Sequence, residues 1–301
     1  MNLRDYFEKV KKVRPATLKN YMLMLRKLNE NEEPTTPEFL KNVEFVLEYI
    51  KKLSLTTQRT YLICVISALS SVNGMDEEKD VYYEKLQELN FQYDERVKHH
   101  KKSATEDENM CSLDELKLCA DYWLEMLDEV IYNEKHHHKV WDIYRFAIIA
   151  LLYTDIPPIS LDYASFLISK NIDDLADKNG IYVDEDGDMS FILQHYKTSG
   201  IYNEKIYKPT TRLKKIIGEW IEINDTGFLF PNRSHDAPMT QNAFGKMIPK
   251  VFNDTGKKIT INLIRHIWIT DEVDLKVLEQ NSKLADAMCH SVGMQKAYIK
   301  V

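Results

Sequence analysis

Cationic and nucleophilic side chains follow one another along the last third of the chain. Lys197 opens the turn Lys-Thr-Ser-Gly after an apolar segment, and Arg265 lies within the apolar run ITINLIRHIWIT. His290 and Tyr298 lie near the C-terminus, where a terminal helix could fold back. Burying a guanidinium is costly unless an anion or another partner meets it, so Arg265 suggests an anion site. Taken singly, a lysine in a turn is usually solvated, and a tyrosine near a chain end usually only packs.

Two other polar runs resemble metal sites but have simpler explanations. The run His136–His138 places adjacent imidazoles on different faces of a helix, which favours a solvated or loop segment. The acidic run Asp184–Asp188 lacks the twelve-residue calcium-loop pattern with its terminal Glu, so we predict a hairpin turn. Four cysteines without a CxxC motif fit neither a disulfide framework nor a zinc site. We therefore expect no metal and no other cofactor.

The elements around these residues predict a mixed C-terminal part at 112–301. Ser112 to Glu115 forms a capping box that predicts the start of a helix, and an apolar helix is predicted near 140–154. Within 181–208 the pattern predicts three short strands, the first two joined by an Asp-Gly turn. Further helices are predicted from Thr210 or Thr211 to Ile223, from Thr240 to Asn253, and from Ile261 onwards.

The N-terminal part at 1–99 predicts a separate helical domain. Four helices are expected, at about Thr17–Asn29, Thr36–Leu53, Thr56–Leu69 and Glu77–His99. The polar and charged segment at 100–111 has no periodicity and predicts a linker. The expected fold class is mainly α with a small antiparallel sheet (α+β), the sheet being an insertion at 181–208.

Charge and hydropathy limit the classes of partner. No apolar run approaches the roughly 20 residues of a membrane span, and the N-terminus has no apolar signal core, so we expect a soluble intracellular protein. The net charge is −7, but residues 1–60 carry +4 and residues 191–270 carry +6 around an acidic middle. This distribution is either ordinary patchiness or two lobes that each offer phosphate contacts.

As an ordered set, the motifs resemble the tyrosine recombinases, the phage integrase family. The order is a lysine in a hairpin, Arg-His on a helix, His-Ser, and then a tyrosine eight residues later. The segments PATLKNYMLMLRKLN and SLTTQRTYLICVISALSSVN are similar to the helical, SAM-like core-binding domain of that family. The blocks LLYTDIPPISLDYASF, FILQHYKTSGIY and INLIRHIWIT resemble its eukaryotic-virus or Crypton-like branch. The resemblance spans nearly the whole chain and implies a core-binding domain followed by a catalytic domain.

The resemblance also implies roles for five residues. Tyr298 would attack the scissile phosphate, giving a 3′-phosphotyrosyl link and a free 5′-hydroxyl. Lys197 would protonate the leaving oxygen as general acid, while Arg265 and His290 would hold the phosphate oxygens. Asn262 occupies a position that is often His, and it can still donate a hydrogen bond. Fixed cations suit this reaction because negative charge builds up on the phosphate oxygens in the transition state.

One family position is degenerate. Ile159 stands where the first catalytic arginine is expected, and removing one such donor typically costs about 10²–10³ in rate. Only nine arginines are present, and a substitute would be Arg145, Arg212, Arg233, a lysine, or a residue of another subunit. Arg145 is roughly 21 Å back along a continuous helix, which is out of reach, so Arg233 is the least implausible substitute among the arginines.

Three functions remain open from the sequence. The first is a tyrosine recombinase or integrase that binds double-stranded DNA and cuts and rejoins its strands, in weakened form if Ile159 has no substitute. The second is a catalytically inactive DNA-binding protein on the same scaffold. The third is a helical protein-interaction module, which leaves the ordered motifs unexplained.

The DNA hypotheses carry further expectations. Lys19, Arg26 and Arg59 are the candidate phosphate contacts of the N-terminal domain. A DNA-dependent homo-oligomer is expected, and no membrane partner. The chain has 31 lysines against nine arginines, which suggests an AT-rich genome such as that of a large DNA virus or mobile element. A viral protein would then act in the host nucleus or at a viral replication site.

Overall fold

The computed structural model describes residues 2–133, 137–289 and 291–294, without the side chains of 131–133 and 137–139. The chain divides into two compact units, Met1–Ser103 and Ala104–Val301. Both are largely helical, and the sheet belongs to the second unit. Within the described residues, none of the helices combines the length and apolarity that a membrane crossing requires.

The first unit is built around one central apolar helix. Its elements are α1 (Leu3–Asp5), a π-helical turn (Tyr6–Val10), α2 (Pro15–Leu28), a 3₁₀ turn (Glu38–Lys41), α3 (Val43–Lys51), α4 (Leu55–Leu69) and α5 (Asp76–Lys98). Helix α4 buries residues on most of its circumference, including Leu62, Val65 and Leu69. Such burial on several sides places α4 at the centre, and the remaining helices bury one face each against the same core.

Two helix boundaries in the first unit differ from the prediction. A short helical segment precedes α2, and α2 begins at Pro15 because proline suits the first helical position. The helix predicted from Thr36 to Leu53 is divided at Asn42. The side chain of Asn42 accepts a hydrogen bond from the backbone N–H of Phe45 at 3.2 Å, which caps a new helix after the 3₁₀ turn.

The second unit surrounds the buried helix α8. Its helices are α6 (Ala104–Asn109), α7 (Leu113–Asn133), α8 (His137–Thr154), α9 (Ser199–Tyr202), α10 (Thr211–Ile223), α11 (Gln241–Gly245), α12 (Ile248–Val251), α13 (Ile261–Glu272) and α14 (Leu275–Ala287). Every residue from Ala147 to Tyr153 is fully buried, so α8 is enclosed on all sides by the apolar core. The predicted capping box is present, with Ser112 and Glu115 bonded reciprocally.

The segment predicted as a linker is partly helical. Helix α6 lies inside 100–111, and its last residue, Asn109, is buried. The Asn109 side chain accepts a hydrogen bond from the backbone N–H of Lys258 at 2.8 Å, and the Lys257 ammonium donates to the Glu108 carbonyl at 2.9 Å. Long-range contacts of this kind order a polar segment that has no apolar periodicity of its own.

The predicted fold class, mainly α with a small sheet, is confirmed, but the sheet has four strands. Strands β1 (Leu167–Ser169), β2 (Gly180–Val183), β3 (Met189–Leu193) and β4 (Lys205–Tyr207) pair in that order. The β2–β3 and β3–β4 pairs are antiparallel as expected, whereas β1 pairs with β2 in parallel. The sheet is therefore mixed rather than antiparallel, because the three-residue β1 has too little pattern to predict.

A glycine permits the unpredicted strand pair. A β-carbon at Gly180 would lie 2.8 Å from the backbone oxygen of Leu167 and 2.6 Å from a methyl carbon of Leu175. Both distances are shorter than van der Waals contact, so only glycine lets β1 approach β2 this closely.

Candidate functional site

Helix α13 presents Arg265 to solvent. The side chain of Thr260 caps the helix by accepting from the backbone N–H of Leu263 at 3.3 Å. Leu263, Ile264 and Ile267 form the buried face, and the 3.6-residue period therefore turns Arg265 outward together with Asn262. The guanidinium is exposed rather than enclosed by its apolar sequence neighbours.

A half-buried carboxylate lies within electrostatic range of Arg265. Asp162 begins the 3₁₀ turn Asp162–Ser165, and burial raises its pKa above the ordinary value. The backbone of the turn and the positive charge of Arg265 oppose that rise without cancelling it. Over the part of the chain that the structure describes, Arg265 has no hydrogen bond and no ion pair. Its charge is therefore left for another anion.

The degenerate position lies three residues before this carboxylate. Ile159 is half-buried and packs against the core of the second unit. The hydroxyl of Tyr153 donates to the backbone carbonyl of Ser160 at 2.8 Å, which fixes the segment after α8. An apolar side chain that contributes to packing therefore stands where the resemblance predicts an arginine.

Three tyrosines lie within electrostatic range of Asp162, and all three belong to the core of the second unit or pack against it. Burial raises the pKa of Tyr207 to about 12, and it raises the pKa values of Tyr153 and Tyr163 well above their ordinary value. The hydroxyl of Tyr207 donates to that of Tyr163 at 2.9 Å. These phenols stay protonated and serve the core.

Two of the arginines that could replace the missing one are already engaged. Arg212 forms a bidentate pair with Asp155, with Nε to Oδ2 at 2.8 Å and Nη2 to Oδ1 at 2.5 Å. Its Nη1 donates to Asp121 at 2.7 Å. Arg145 pairs with Asp142 one helical turn earlier on α8. Neither guanidinium is free to meet a phosphate.

Arg233 remains the exposed arginine of the predicted loop. It lies between Pro231 and Pro238, which form an isolated antiparallel bridge. The imidazole of His235 stacks on Trp141 with ring centroids 4.5 Å apart, which attaches the loop to α8. Among the described residues Arg233 has no ion-pair partner, so its role as a substitute stays a prediction.

Lys197 lies in the connection between β3 and β4, and it is exposed. No ion pair or hydrogen bond from a described residue reaches its ammonium group, and none joins it to Arg265. The structure thus places both predicted cations at the surface of the second unit. His290 and Tyr298 lie outside the described residues, as do His136 and the side chains of His137 and His138.

The acidic run at Asp184–Asp188 forms a turn, as predicted. The Asp184 carboxylate accepts from the backbone N–H groups of Asp186 at 3.1 Å and Asp188 at 2.7 Å. Gly187 has a φ of 75°, the left-handed conformation that the turn requires. The Asp184 carboxylate therefore shapes the β2–β3 connection, while the Asp188 carboxylate pairs with Lys214.

The three candidate phosphate contacts of the first unit differ from one another. Arg59 is half-buried, and its Nε donates to Asn90 at 2.8 Å while its guanidinium lies 4.0 Å from the ring centroid of Tyr93. Arg26 donates to the carbonyl of Asn31 at 2.8 Å, closing the end of α2. Lys19 is exposed on α2 and has no ion pair with a described residue.

Comparisons with known proteins give likenesses among solved structures, one of which is a recombinase. No protein-family model matches the chain, and no curated protein matches it. The crystal structure of XerA recombinase is similar over 99% of this chain and 91% of that chain, with 15% identity and a TM-score of 0.34. These values do not assign a family, so the case for function rests on the residues themselves.

Proposed function

We propose that the chain is a tyrosine-recombinase-like protein that binds double-stranded DNA and cuts and rejoins strands through a 3′-phosphotyrosyl intermediate. The observation that carries the proposal is the state of Arg265. An arginine at the motif position of the family is exposed on α13 and left without a hydrogen-bond or ion-pair partner among the described residues. The Asp162 carboxylate lies near enough to interact with Arg265 electrostatically, but the two side chains do not form an ion pair.

The reaction assigns one task to each predicted residue. The phenol oxygen of Tyr298 attacks the phosphorus, and the bond from phosphorus to the 5′ oxygen breaks. The Lys197 ammonium gives its proton to that leaving oxygen, while the phenol proton passes to solvent. Arg265, His290 and Asn262 hold the non-bridging oxygens, whose charge rises in the transition state. The phosphotyrosyl link retains the bond energy, so rejoining needs no nucleotide.

The sequence blocks further support the eukaryotic-virus or Crypton-like branch, with a core-binding domain at 1–99 and a catalytic domain at 112–301. In this proposal Lys19 and the neighbouring helix faces contact phosphates, and assembly into a homo-oligomer depends on DNA. If the chain is encoded by a virus, we propose that it acts in the nucleus of the infected host or at a viral replication site.

Ile159 favours the second candidate, a DNA-binding protein that has lost strand cleavage. Its side chain packs on the core, and Arg145 and Arg212 are engaged elsewhere. Loss of one transition-state donor slows such reactions by about 10²–10³ without preventing the binding of DNA.

Covalent trapping separates the two candidates. The purified chain is incubated with fragmented DNA of its source genome and denatured, and protein-linked DNA is recovered and sequenced. Adducts with the wild-type chain and none with Tyr298→Phe are expected if the chain is a recombinase. DNA capture without adducts, together with adducts from Ile159→Arg, would identify the inactive scaffold. DNA binding that is absent, or that does not weaken with salt, would overturn both candidates.

A further inference from the structure

The chain around Lys197 is fixed by a buried asparagine. Asn179 directly precedes β2 and is 6% exposed. Its Oδ1 accepts from the backbone N–H groups of Gln194 at 2.8 Å and His195 at 2.7 Å, and its Nδ2 donates to the carbonyl of His195 at 2.7 Å. One amide side chain therefore satisfies three backbone groups just beyond the end of β3, where the strand ladder stops.

Two further contacts attach the same residues to the chain before β2. The Nε2 atom of His195 lies 2.8 Å from the carbonyl oxygen of Asp177, and the side-chain amide of Gln194 donates to the carbonyl of Leu175 at 3.3 Å. Residues 194 and 195 thus have fixed positions relative to 175–179. Lys197 follows only two residues later.

The other side of the turn is closed by a tyrosine. The hydroxyl of Tyr196 donates to the carbonyl of Asn203 at 2.5 Å. Asn203 has a φ of 57°, and its N–H donates to the carbonyl of Ser199 at 2.8 Å. Lys197 therefore lies in a loop whose two ends are both tied, although its own side chain is exposed and without a partner among the described residues.

We propose that Asn179 is a positioning residue for Lys197, and that Tyr196 assists it from the other end of the loop. The inference rests on the proposed function, in which the Lys197 ammonium protonates the leaving 5′ oxygen. A general acid works only within hydrogen-bond reach of its target, so a loop that is ordered beforehand shortens the search for that geometry. Asn179 acts through the backbone at 194–195 and does not touch DNA.

Changing the leaving group tests this role directly. In DNA whose scissile 5′ oxygen is replaced by sulfur, the leaving group departs as a thiolate and needs no proton. With ordinary DNA carrying the site found by trapping, Asn179→Ala should cleave about 10–100-fold more slowly than wild type. With the sulfur substrate, the rate of Asn179→Ala should return to within about threefold of wild type, and Lys197→Ala should be rescued in the same way.

Further variants distinguish a loss of loop order from a general loss of folding in Asn179→Ala. Tyr196→Phe removes one hydroxyl and keeps the half-buried ring that packs against the core, so it should give a smaller loss that sulfur also rescues. Asn179→Asp keeps the acceptor but sets a second carboxylate oxygen against the His195 carbonyl, so its rate should be no higher than that of Asn179→Ala, and sulfur should rescue it in the same way.

Asn224→Ala is the matched control, because Asn224 is also buried, at 4% exposed, and its side chain also bonds backbone groups: it donates to the Phe228 carbonyl at 2.8 Å and accepts from the Thr226 N–H at 3.3 Å. Among the described residues it has no hydrogen bond to the loop at 194–203. Its rates should equal those of wild type.

The outcomes separate the two levels of the proposal. If wild type cleaves and the Asn179 variants are either unimpaired or equally slow on both substrates, the positioning role is overturned while the recombinase function stands. If wild type cleaves neither substrate, the proposed function fails, and the role of Asn179 toward a general acid fails with it.

Discussion

Cationic side chains are used differently in the two units. In the first unit, Arg59 and Arg26 are bound to the chain's own carbonyl and amide oxygens, and Arg59 also stacks on a tyrosine. In the second unit, Lys197 and Arg265 are exposed and have no such partner among the described residues. The sequence made Arg59 and Arg26 candidate phosphate contacts, and the resemblance to recombinases gave Lys197 and Arg265 their proposed roles. Lys19 of the first unit is exposed as well. The comparison shows that a cation in a candidate position can already be bonded to its own chain, and that only an unbonded one is left for another anion.

The second unit contains both kinds of arginine. Arg212 joins three elements, because it pairs with Asp155 at the end of α8 and with Asp121 on α7 from its own position on α10. Arg265 has a carboxylate nearby and does not pair with it. An arginine that holds elements together should matter to stability, and an unpaired one should matter to function.

The largest expected effect is on catalysis. Under the proposed function, Arg265→Ala should lower the rate of covalent adduct formation by about 10²–10³ or more, because it would remove a charged donor to the phosphate oxygens. Its melting temperature should equal that of wild type, since no described residue bonds to the guanidinium. Arg265→Lys keeps the charge without the planar fork and should be intermediate in rate. A clear fall in melting temperature with an unchanged rate would reverse the assignment of Arg265.

The next effect is on the stability of the second unit. Arg212→Leu leaves the carboxylate of Asp155, which is 7% exposed, without its ion-pair partner. The free energy of unfolding should fall by about 2–3 kcal/mol, less than for a fully buried pair because the arginine is 40% exposed. All four tryptophans lie after residue 103, so tryptophan fluorescence in a urea titration reports this unit. Lys117→Ala, at an exposed pair with Asp114, is the control and should change nothing measurable. Equal urea midpoints for the two variants would contradict a structural role for Arg212.

A smaller loss of stability is expected in the first unit. Arg59→Ala removes the hydrogen bond to Asn90 and the stacking on Tyr93, which together should cost about 1–2 kcal/mol. Because this unit has no tryptophan, the change should be visible by circular dichroism and absent from the fluorescence transition.

Lys19→Ala should leave the free energy of unfolding unchanged. It should reduce the slope of log affinity for DNA against log salt concentration by about one. A salt slope that changes for Arg59→Ala alone would place the DNA contact at Arg59.

The smallest effect concerns Asp162 and has a defined pH dependence. Its folded-state pKa lies above the ordinary value of 3.8 that applies to the unfolded chain, so the folded state binds the proton more tightly. Stability from this group is therefore present below pH 3.8 and is lost as the pH rises through the folded-state pKa. Asp162→Asn should raise the melting temperature at pH 7 by about 1–2 °C and leave it unchanged at low pH. A fall at pH 7 would mean that Asp162 neutralises Arg265 after all.

Local signals explain which parts of the fold were predictable. The capping box at Ser112, the turn at Asp184 and the apolar helix α8 each have their causes within a few residues of sequence. Strand β1 has only three residues and depends on the absence of a side chain at Gly180, so its pairing had no local signal. The helix predicted from Thr36 to Leu53 is divided because Asn42 caps a new helix. A single asparagine among residues that suit a helix does not indicate such a break.

The candidate site was predictable as a set of residue types but not as a geometry. The order of Lys197 and Arg265 came from the sequence, and the period of α13 explains why Arg265 is exposed. Arg212 pairs with carboxylates 57 and 91 positions away, which no local pattern indicates. The pair of Arg145 with Asp142 has the i,i+3 spacing of a helix and could have been predicted. Asn179 was missed because a polar residue before a strand is unremarkable, and its three bonds reach residues 15 and 16 positions away.

The backbone and the side chain of Asn179 connect two different parts of the second unit. Its carbonyl accepts from the N–H of Leu167 at 3.1 Å, so one residue belongs both to the β1–β2 pair and to the anchor of the Lys197 loop. Local unfolding that separates β1 from β2 therefore releases the loop as well, and the two segments form one cooperative unit. A substitution that loosens the sheet far from any DNA contact would then lower activity by raising the population of this partly open state.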